Sequence, residues 1–318
     1  MAMRKIRVAV LAVAWVIATT AAAEPAYPSR PIRLIVPFGP NAAAEIVAKK
    51  LGERFGQPVI TEARPGAETI IGTDAVAKAA PDGYTVLFCG ASAMSVLPHT
   101  RKHLPYDPFG DFVHVAQLAY IPLMLAVGPS APVASVAELV ALARSRPGRL
   151  SYGEGTETAF VAAETFKRAA KIDILHVPYK LLGTATTDLL AGRIDMIFAS
   201  LLPVIAYSRT QRLRVMAVTG NRRSPTLPDV PTMAEAGIPG FESSSAYGIS
   251  APRGTPPAVV KRWNDELAAV LALPDVAEKF IAIGIEPRFQ TSEQFTAFLH
   301  AESDRQRELL ARIGFKPE

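Results

Sequence analysis

The chain has a single cysteine, Cys89, in 318 residues. An intrachain disulfide is therefore excluded, and so is any Cys/His zinc spacing. Two tryptophans and five histidines complete a sparse set of reactive side chains. No G-x-S-x-G elbow and no G-x-x-x-x-G-K phosphate loop occurs. His99 and His103 have helical spacing, but Pro98 and Pro105 bracket them and no third ligand is nearby, which argues against a metal site. His176 lies in an apolar run, where a cap or a pairing inside the core is expected. No nucleophile, base and orienter can be assembled from these spacings, so no catalytic residue and no cofactor is assigned. No charge block, low-complexity linker or Gly/Ser tract interrupts the chain.

The long apolar stretch lies at the N-terminus. Arg4, Lys5 and Arg7 precede the run Val8 to Ile17, followed by Thr19-Thr20-Ala21-Ala22-Ala23. This order reads as a cleaved export signal, residues 1–23, and predicts export from the cytoplasm. The run is short for a membrane span, which takes about 20 residues. No cysteine stands at the cleavage point to take a lipid. Removing the three basic residues of this segment lowers the formal charge from +5 to +2. Without clustered Lys and Arg, that balance gives no footprint for nucleic acid.

The remainder is long enough for one large or two medium domains. Short apolar runs at Leu34–Val36, Val59–Ala63, Thr85–Phe88, Leu123–Val127, Leu150–Tyr152, Ile174–Val177, Met196–Phe198 and Leu213–Val218 alternate with helix-length segments. The helical segments are Thr69–Ala79, Ser135–Ala143, Thr158–Ala170 and Thr184–Ala191. The alternation predicts an α/β fold with largely parallel sheets. Ser135-x-x-Glu138, Thr232-x-x-Glu235 and Thr291-x-x-Gln294 fit capping boxes. The last of these opens a C-terminal helix with Phe295, Phe298, Leu299, Glu302, Leu309 and Ile313 on or near one stripe, the phenylalanines and leucines reading as core. Ser243-Ser244-Ser245 reads as a strand or hinge.

One stretch organises the rest. Leu34–Val36 is a strand, Pro37–Asn41 a turn, and Val47, Leu51 and Phe55 recur as the buried face of a helix. A helix opening from a strand end presents unpaired N–H groups that favour an anion. Ser92, just after the strand Thr85–Phe88, is either a ligand hydroxyl or a helix cap.

Tyr27-Pro-Ser-Arg-Pro-Ile-Arg33, Arg64-Pro-Gly-Ala67, Gly72-Thr-Asp-Ala-Val-Ala-Lys-Ala-Ala-Pro-Asp-Gly-Tyr84, His176-Val-Pro-Tyr-Lys180, Asp188-Leu-Leu-Ala-Gly-Arg-Ile-Asp195, Leu227-Pro-Asp-Val-Pro-Thr-Met-Ala-Glu-Ala-Gly237 and Ala251-Pro-Arg-Gly-Thr-Pro256 complete the pattern. In this order and spacing, the chain resembles the extracytoplasmic receptors of tripartite tricarboxylate transporters, the Bug family. The resemblance implies a type II-like periplasmic binding protein with two α/β domains, each a mostly parallel sheet flanked by helices, around a cleft. Residues 24–124 plus 243–318 would form domain 1 and 125–242 domain 2. It implies capture of a small organic acid and delivery to cognate transporter membrane subunits; a monomer is the default for a receptor that must close around its ligand. The expected ligand contacts are Phe38, Asn41, Ala42 and Glu45 from the first loop and Thr69 and Ile70 from the second, with Ser92. Thr156, Thr158 and Asp188 would close from the other domain, and Tyr247 would cover the ligand; Asp188 is alternatively a helix cap and Tyr247 a core residue.

The loops depart from the family where they should face ligand. The usual Gly-rich run ending in Thr-Asp is Asn41-Ala-Ala-Ala-Glu45, Gly-Ala-Gly-Gly is Gly66-Ala-Glu68-Thr69, a Gly/Ser-rich loop is Gly153-Glu-Gly-Thr-Glu157, and Lys-Gly-x-Gly-Pro is Lys180-Leu-Leu-Gly-Thr184. Glu45, Glu68, Glu154 and Glu157 would bring carboxylates toward the cleft. Two like charges at ~6 Å and an effective dielectric of ~20 repel by about 3 kcal/mol. Either these side chains point to solvent and carboxylate binding persists, or the ligand is neutral, amine-bearing or cationic, or binding is impaired. An enzyme using Glu45 and Glu154 as acid and base, and a partner-binding protein with a shut cleft, are the readings from other classes.

Overall fold

The computed structural model describes residues 27–179 and 181–317, without the side chain of Pro203. The segment read as an export signal, and Lys180, lie outside the described residues. In chain order the first elements are β1 (Ile32–Val36), α1 (Ala42–Phe55), β2 (Val59–Ala63), α2 (Ile70–Ala77), β3 (Thr85–Gly90), α3 (Ala91–Ser95), α4 (Leu97–Thr100) and β4 (Phe112–Pro122). A second group follows: β5 (Met124–Val127), α5 (Val136–Ser145), β6 (Ser151–Gly153), α6 (Glu157–Ala170), β7 (Leu175–Val177), α7 (Leu182–Leu190), β8 (Met196–Ala199), α8 (Leu202–Arg209) and β9 (Arg214–Val218). The chain ends with β10 (Ser244–Pro252), α9 (Pro257–Leu271), α10 (Pro274–Ala282), β11 (Glu286–Gln290) and α11 (Ser292–Ile313).

Two sheets result, ordered β11-β4-β10-β3-β1-β2 and β7-β6-β8-β5-β9. The first takes strands from both ends of the chain and the second from its middle. Each is packed on both faces, as period-two side-chain alternation requires. Ile32, Leu34 and Val36 of β1 join Val47 and Leu51 of α1 and Trp263 of α9 in one core, while Ile35 joins Phe295 and Leu299 of α11 in another. In the second sheet Leu125 and Val127 face α5 and α6, and Met124 and Ala126 face α7 and α8.

As expected, the sheets are largely parallel in strand direction, four of six strands in the first and four of five in the second, although five of the nine ladders among the described residues are antiparallel. The chain crosses between the sheets twice, and this accounts for the four antiparallel ladders of β5 and β10; β11 adds the fifth, against β4. β4 runs toward the first crossing, whereas β5 runs away from it; β9 runs toward the second, and β10 away. A strand entering a sheet from the crossing side must oppose those that leave by it. β1, β2, β3 and β4 therefore share one direction, as do β6, β7, β8 and β9, and all eight end toward the crossings.

Thr219 ties the crossings together. It is fully buried; its N–H donates to Leu123 O at 2.8 Å and its carbonyl accepts from Ser243 N–H at 3.1 Å. Its Oγ1 accepts from Leu123 N–H at 2.8 Å and also lies against Ser243 O. Thr232-x-x-Glu235 does form reciprocal bonds, 2.8 and 3.1 Å, but closes a turn and opens no helix. At Thr291 the capping box opens α11 as expected.

Candidate ligand-binding site

The carboxyl ends of the strands, where ligands of open α/β sheets bind, converge between the two sheets. The turn after β1 holds Pro37, Phe38 and Gly39, the last at φ 91°, a left-handed conformation that glycine adopts without strain. Asn41 then caps α1, its Oδ1 accepting from Ala44 N–H at 3.1 Å. Its Nδ2 donates to Tyr247 Oη at 3.3 Å. The Tyr247 ring stacks on Phe38 with centroids 5.4 Å apart. Burial pushes the Tyr247 hydroxyl above its ordinary pKa, so it stays protonated. Asn41 and Tyr247 thus hold Phe38 from behind.

The loop after β2 is strained. Ala67, Glu68 and Thr69 have φ values of 43°, 53° and 84°, and no glycine relieves them. Thr69 Oγ1 is buried and has no hydrogen-bond partner among the described residues. The loop is pinned close to the first turn, since a Cβ at Gly72 would sit 2.7 Å from Arg64 O and 2.8 Å from Pro37 Cβ.

Opposite these loops stands the N-terminus of α6, capped by Thr156, whose Oγ1 accepts from Ala159 N–H at 3.2 Å. A cavity of about 700 Å³ lies between. Pro37, Phe38, Pro65–Thr69, Ser92 and Leu97 line it from the first sheet, and Gly155, Thr156, Glu157 and Leu181 from the second.

One wall is an ion cluster. Arg101, just after α4, donates to Glu68 and, at 2.9 Å, to Glu157 across the gap. Burial, then the charge of Glu68, raises the Glu157 carboxyl to about 7, and Arg101 offsets only part of the rise. Beyond the cluster a second chamber of about 440 Å³ shares Glu68 and Gly155–Glu157 and adds Glu154, His176, Tyr179 and Phe315. There His176 Nε2 lies 2.7 Å from Glu154 Oε2, and its ring stacks on Tyr152 at 4.9 Å. The pairing expected of His176 exists, but at the cleft.

Of the residues singled out from the sequence, Phe38, Thr69, Ser92 and Thr156 line the large cavity. Asn41 and Tyr247 stand behind Phe38. Ala42 is exposed, and the exposed Glu45 accepts from Thr61 Oγ1 at 2.7 Å, beside β2. Ile70 begins α2 without lining the cavity, and Thr158 is buried within α6. Asp188 sits near the end of α7, accepting from Tyr179 Oη at 2.8 Å and Arg193 Nη1 at 2.7 Å. These two bonds, Tyr179 first, hold its carboxyl below the usual range. It does not cap that helix, which begins after Leu181. Glu45 and Glu154 share no chamber, so the geometry supplies no acid–base pair from them.

Arg101, Leu97 and Leu181 were not legible as site residues. The partners of Arg101 lie 33 and 56 positions away, which no local pattern encodes. Among the described residues no group of three or more His, Cys, Asp and Glu is placed to hold a metal ion. No described helix is long and apolar enough to cross a membrane.

The family model described as "Tripartite tricarboxylate transporter family receptor" matches residues 43–315. Protein BugT of Bordetella pertussis is 34% identical over 94% of this chain and 95% of its own. The solved structure of R. palustris Rpa4515 with adipate superposes with a TM-score of 0.86 at 33% identity, covering 92% of this chain and 100% of that one. MatC from Rhodopseudomonas palustris, with bound malate, gives 0.79 at 26% identity, covering 89% and 100%.

Proposed function

The chain belongs to the tripartite tricarboxylate transporter receptor family, and from that premise we propose that it is an extracytoplasmic receptor that captures a small carboxylic acid and delivers it to a membrane transporter. The observation that carries the proposal is the cavity of about 700 Å³ whose walls come from both sheets. A ligand touching both walls stabilises the closed arrangement over the open one by its contacts with each, which is the energetic basis of hinge closure. The hinge would lie at the two crossings, near Leu123 and Ser243, dividing the protein into residues 24–124 plus 243–318 and 125–242.

In this reading the acid is received by groups of the first lobe, the 66–69 loop and the Ser92 hydroxyl, and the cap of α6 closes over it. Thr69 Oγ1, buried without a partner, gains a hydrogen bond on binding. Phe38, Pro65, Leu97 and Leu181 pack the aliphatic part. The receptor works by retention, without turnover, in the periplasm after loss of residues 1–23. The bound adipate and malate of its relatives support the ligand class.

The test is a thermal-shift and calorimetric screen of the mature chain against mono-, di- and tricarboxylates, amines and amino acids. A ligand that binds only the folded state at a hundred times its Kd adds about 2.7 kcal/mol of stability. Recovery of the ligand unchanged and in equal stoichiometry is expected. A chemically altered ligand, or no stabilisation by any carboxylate, would reject the reading.

A further inference from the structure

The charges of the cleft bear on which acid it takes. Glu68 and Glu157 line the large cavity, and among the described residues no lysine, arginine or histidine lines it. Arg101 stands at the wall with its guanidinium already engaged by both glutamates. With both carboxylates ionised, this cluster carries a net charge of −1. A dicarboxylate entering the cavity would place one carboxylate on the hydroxyl and backbone groups near Thr69 and Ser92. Its other carboxylate would meet a cluster of like sign whose Arg101 is already paired with both glutamates.

We propose that the cleft selects a small acid bearing a second, cationic group, an amino-acid-like zwitterion whose ammonium is received by Glu157 and Glu68 while its carboxylate is held by the 66–69 loop and Ser92. This rests on the receptor reading above and narrows it. The two glutamates arise from opposite lobes, so an ammonium shared between them rewards closure. An ammonium donates three hydrogen bonds and has no acceptor capacity. It therefore complements two carboxylates whose remaining oxygens are not used by Arg101. The apolar wall formed by Phe38, Leu97 and Leu181 fits the methylenes between the two charged ends.

Burial, Glu68 and Arg101 set the Glu157 titration. The groups around this carboxyl are Glu68 from the loop before α2, Arg101 after α4, Glu154 before α6, and His176 and Tyr179 from β7 and the segment following it; the tail of α11 contributes the apolar Phe315. Because the Glu157 carboxyl stands near 7, an ammonium is received better above that pH than below it.

The experiment compares 5-aminopentanoate with adipate, which share a chain of four methylenes, by calorimetry on the full mature chain. The expected result is at least about tenfold tighter binding of the amino acid. Its affinity should rise about tenfold as pH goes from one unit below to one above the Glu157 titration. Glu157→Gln should remove that pH response and shrink the ratio. Adipate binding as tightly as 5-aminopentanoate, with the ratio unchanged in Glu157→Gln, would overturn the inference and leave the receptor reading standing. Failure of both ligands and of every other carboxylate would overturn both. The wild-type ratio decides the matter even if the variant does not fold.

Discussion

Arg101 Nη2 reaches Glu157 Oε1 across the cleft at 2.9 Å while the same guanidinium holds Glu68 on its own side. One cation therefore keeps two carboxylates from opposite walls within a single cluster. Removing it leaves them facing each other with no counter-charge. Arg101→Ala should lower stability by about 1–3 kcal/mol, between the values typical of exposed and of buried pairs. Scattering from the ligand-free variant should show a wider cleft. An unchanged melting temperature together with unchanged dimensions would contradict the bridging role.

Glu157 gives the folded chain a defined pH response. Its folded pKa, about 7, stands above the ordinary value of 4.5. Between those two values the folded state binds more protons than the unfolded one, so this group's contribution to stability falls as pH rises through that window. Melting temperature followed from pH 4.5 to 8 should decline more steeply in the wild type than in Glu157→Gln. The same slope in both would place the titrating group elsewhere.

Thr219→Val keeps the shape of the side chain and removes its hydroxyl. Leu123 N–H, which donates to that oxygen at 2.8 Å, is then left buried without its partner. A loss of about 1–3 kcal/mol is expected, measured by urea unfolding. A ligand-induced change in radius of gyration that differs from wild type would tie the loss to the crossings. A neutral substitution would mean that the backbone bonds alone hold them.

The left-handed loop offers a stabilising change. Ala67 has φ 43°, where an alanine is strained and a glycine is not. Ala67→Gly should stabilise by about 0.5–1 kcal/mol despite the added freedom of the unfolded chain. A drop in melting temperature would show that the conformation is not imposed on the loop as described. Asn41→Ala, by contrast, removes the α1 cap and should cost about 1 kcal/mol.

The sequence made some elements plain and hid others for physical reasons. β2 has the bounds read from its apolar run, because Gly56 and Pro65 bracket it with residues that break strands. α5 follows from the Ser135 cap and a buried stripe, whereas the cap of α6, Thr156, reads from the sequence only as a ligand contact. β10 reads Ser-Ser-Ala-Tyr-Gly-Ile-Ser-Ala-Pro, too poor in branched residues to stand out, since its place is fixed by the strands on either side. β4 has His114 and Gln117 inside a strand buried on both faces, so no alternation marks it. At the site, the turn after β1 announced Phe38, and the family resemblance brought in Thr69. The Glu68–Arg101–Glu157 cluster depends on three segments that only the folded chain brings together.

The position of β10 also orders the assembly of the molecule. It lies between β3 and β4, antiparallel to both, so these two strands have no ladder with each other. Until residue 252 is available, the N-terminal strands consist of a three-stranded fragment and a separate β4, both with open edges that invite wrong pairing. The middle sheet takes all its strands from residues 124–218 and completes its core with Met233, Ile238 and Phe241, all of which precede β10, so it can close first. A chain emerging from its N-terminus must therefore keep its first hundred residues from pairing elsewhere while later ones arrive. A fragment ending before Ser244 should aggregate, whereas one spanning the middle sheet stands to fold alone.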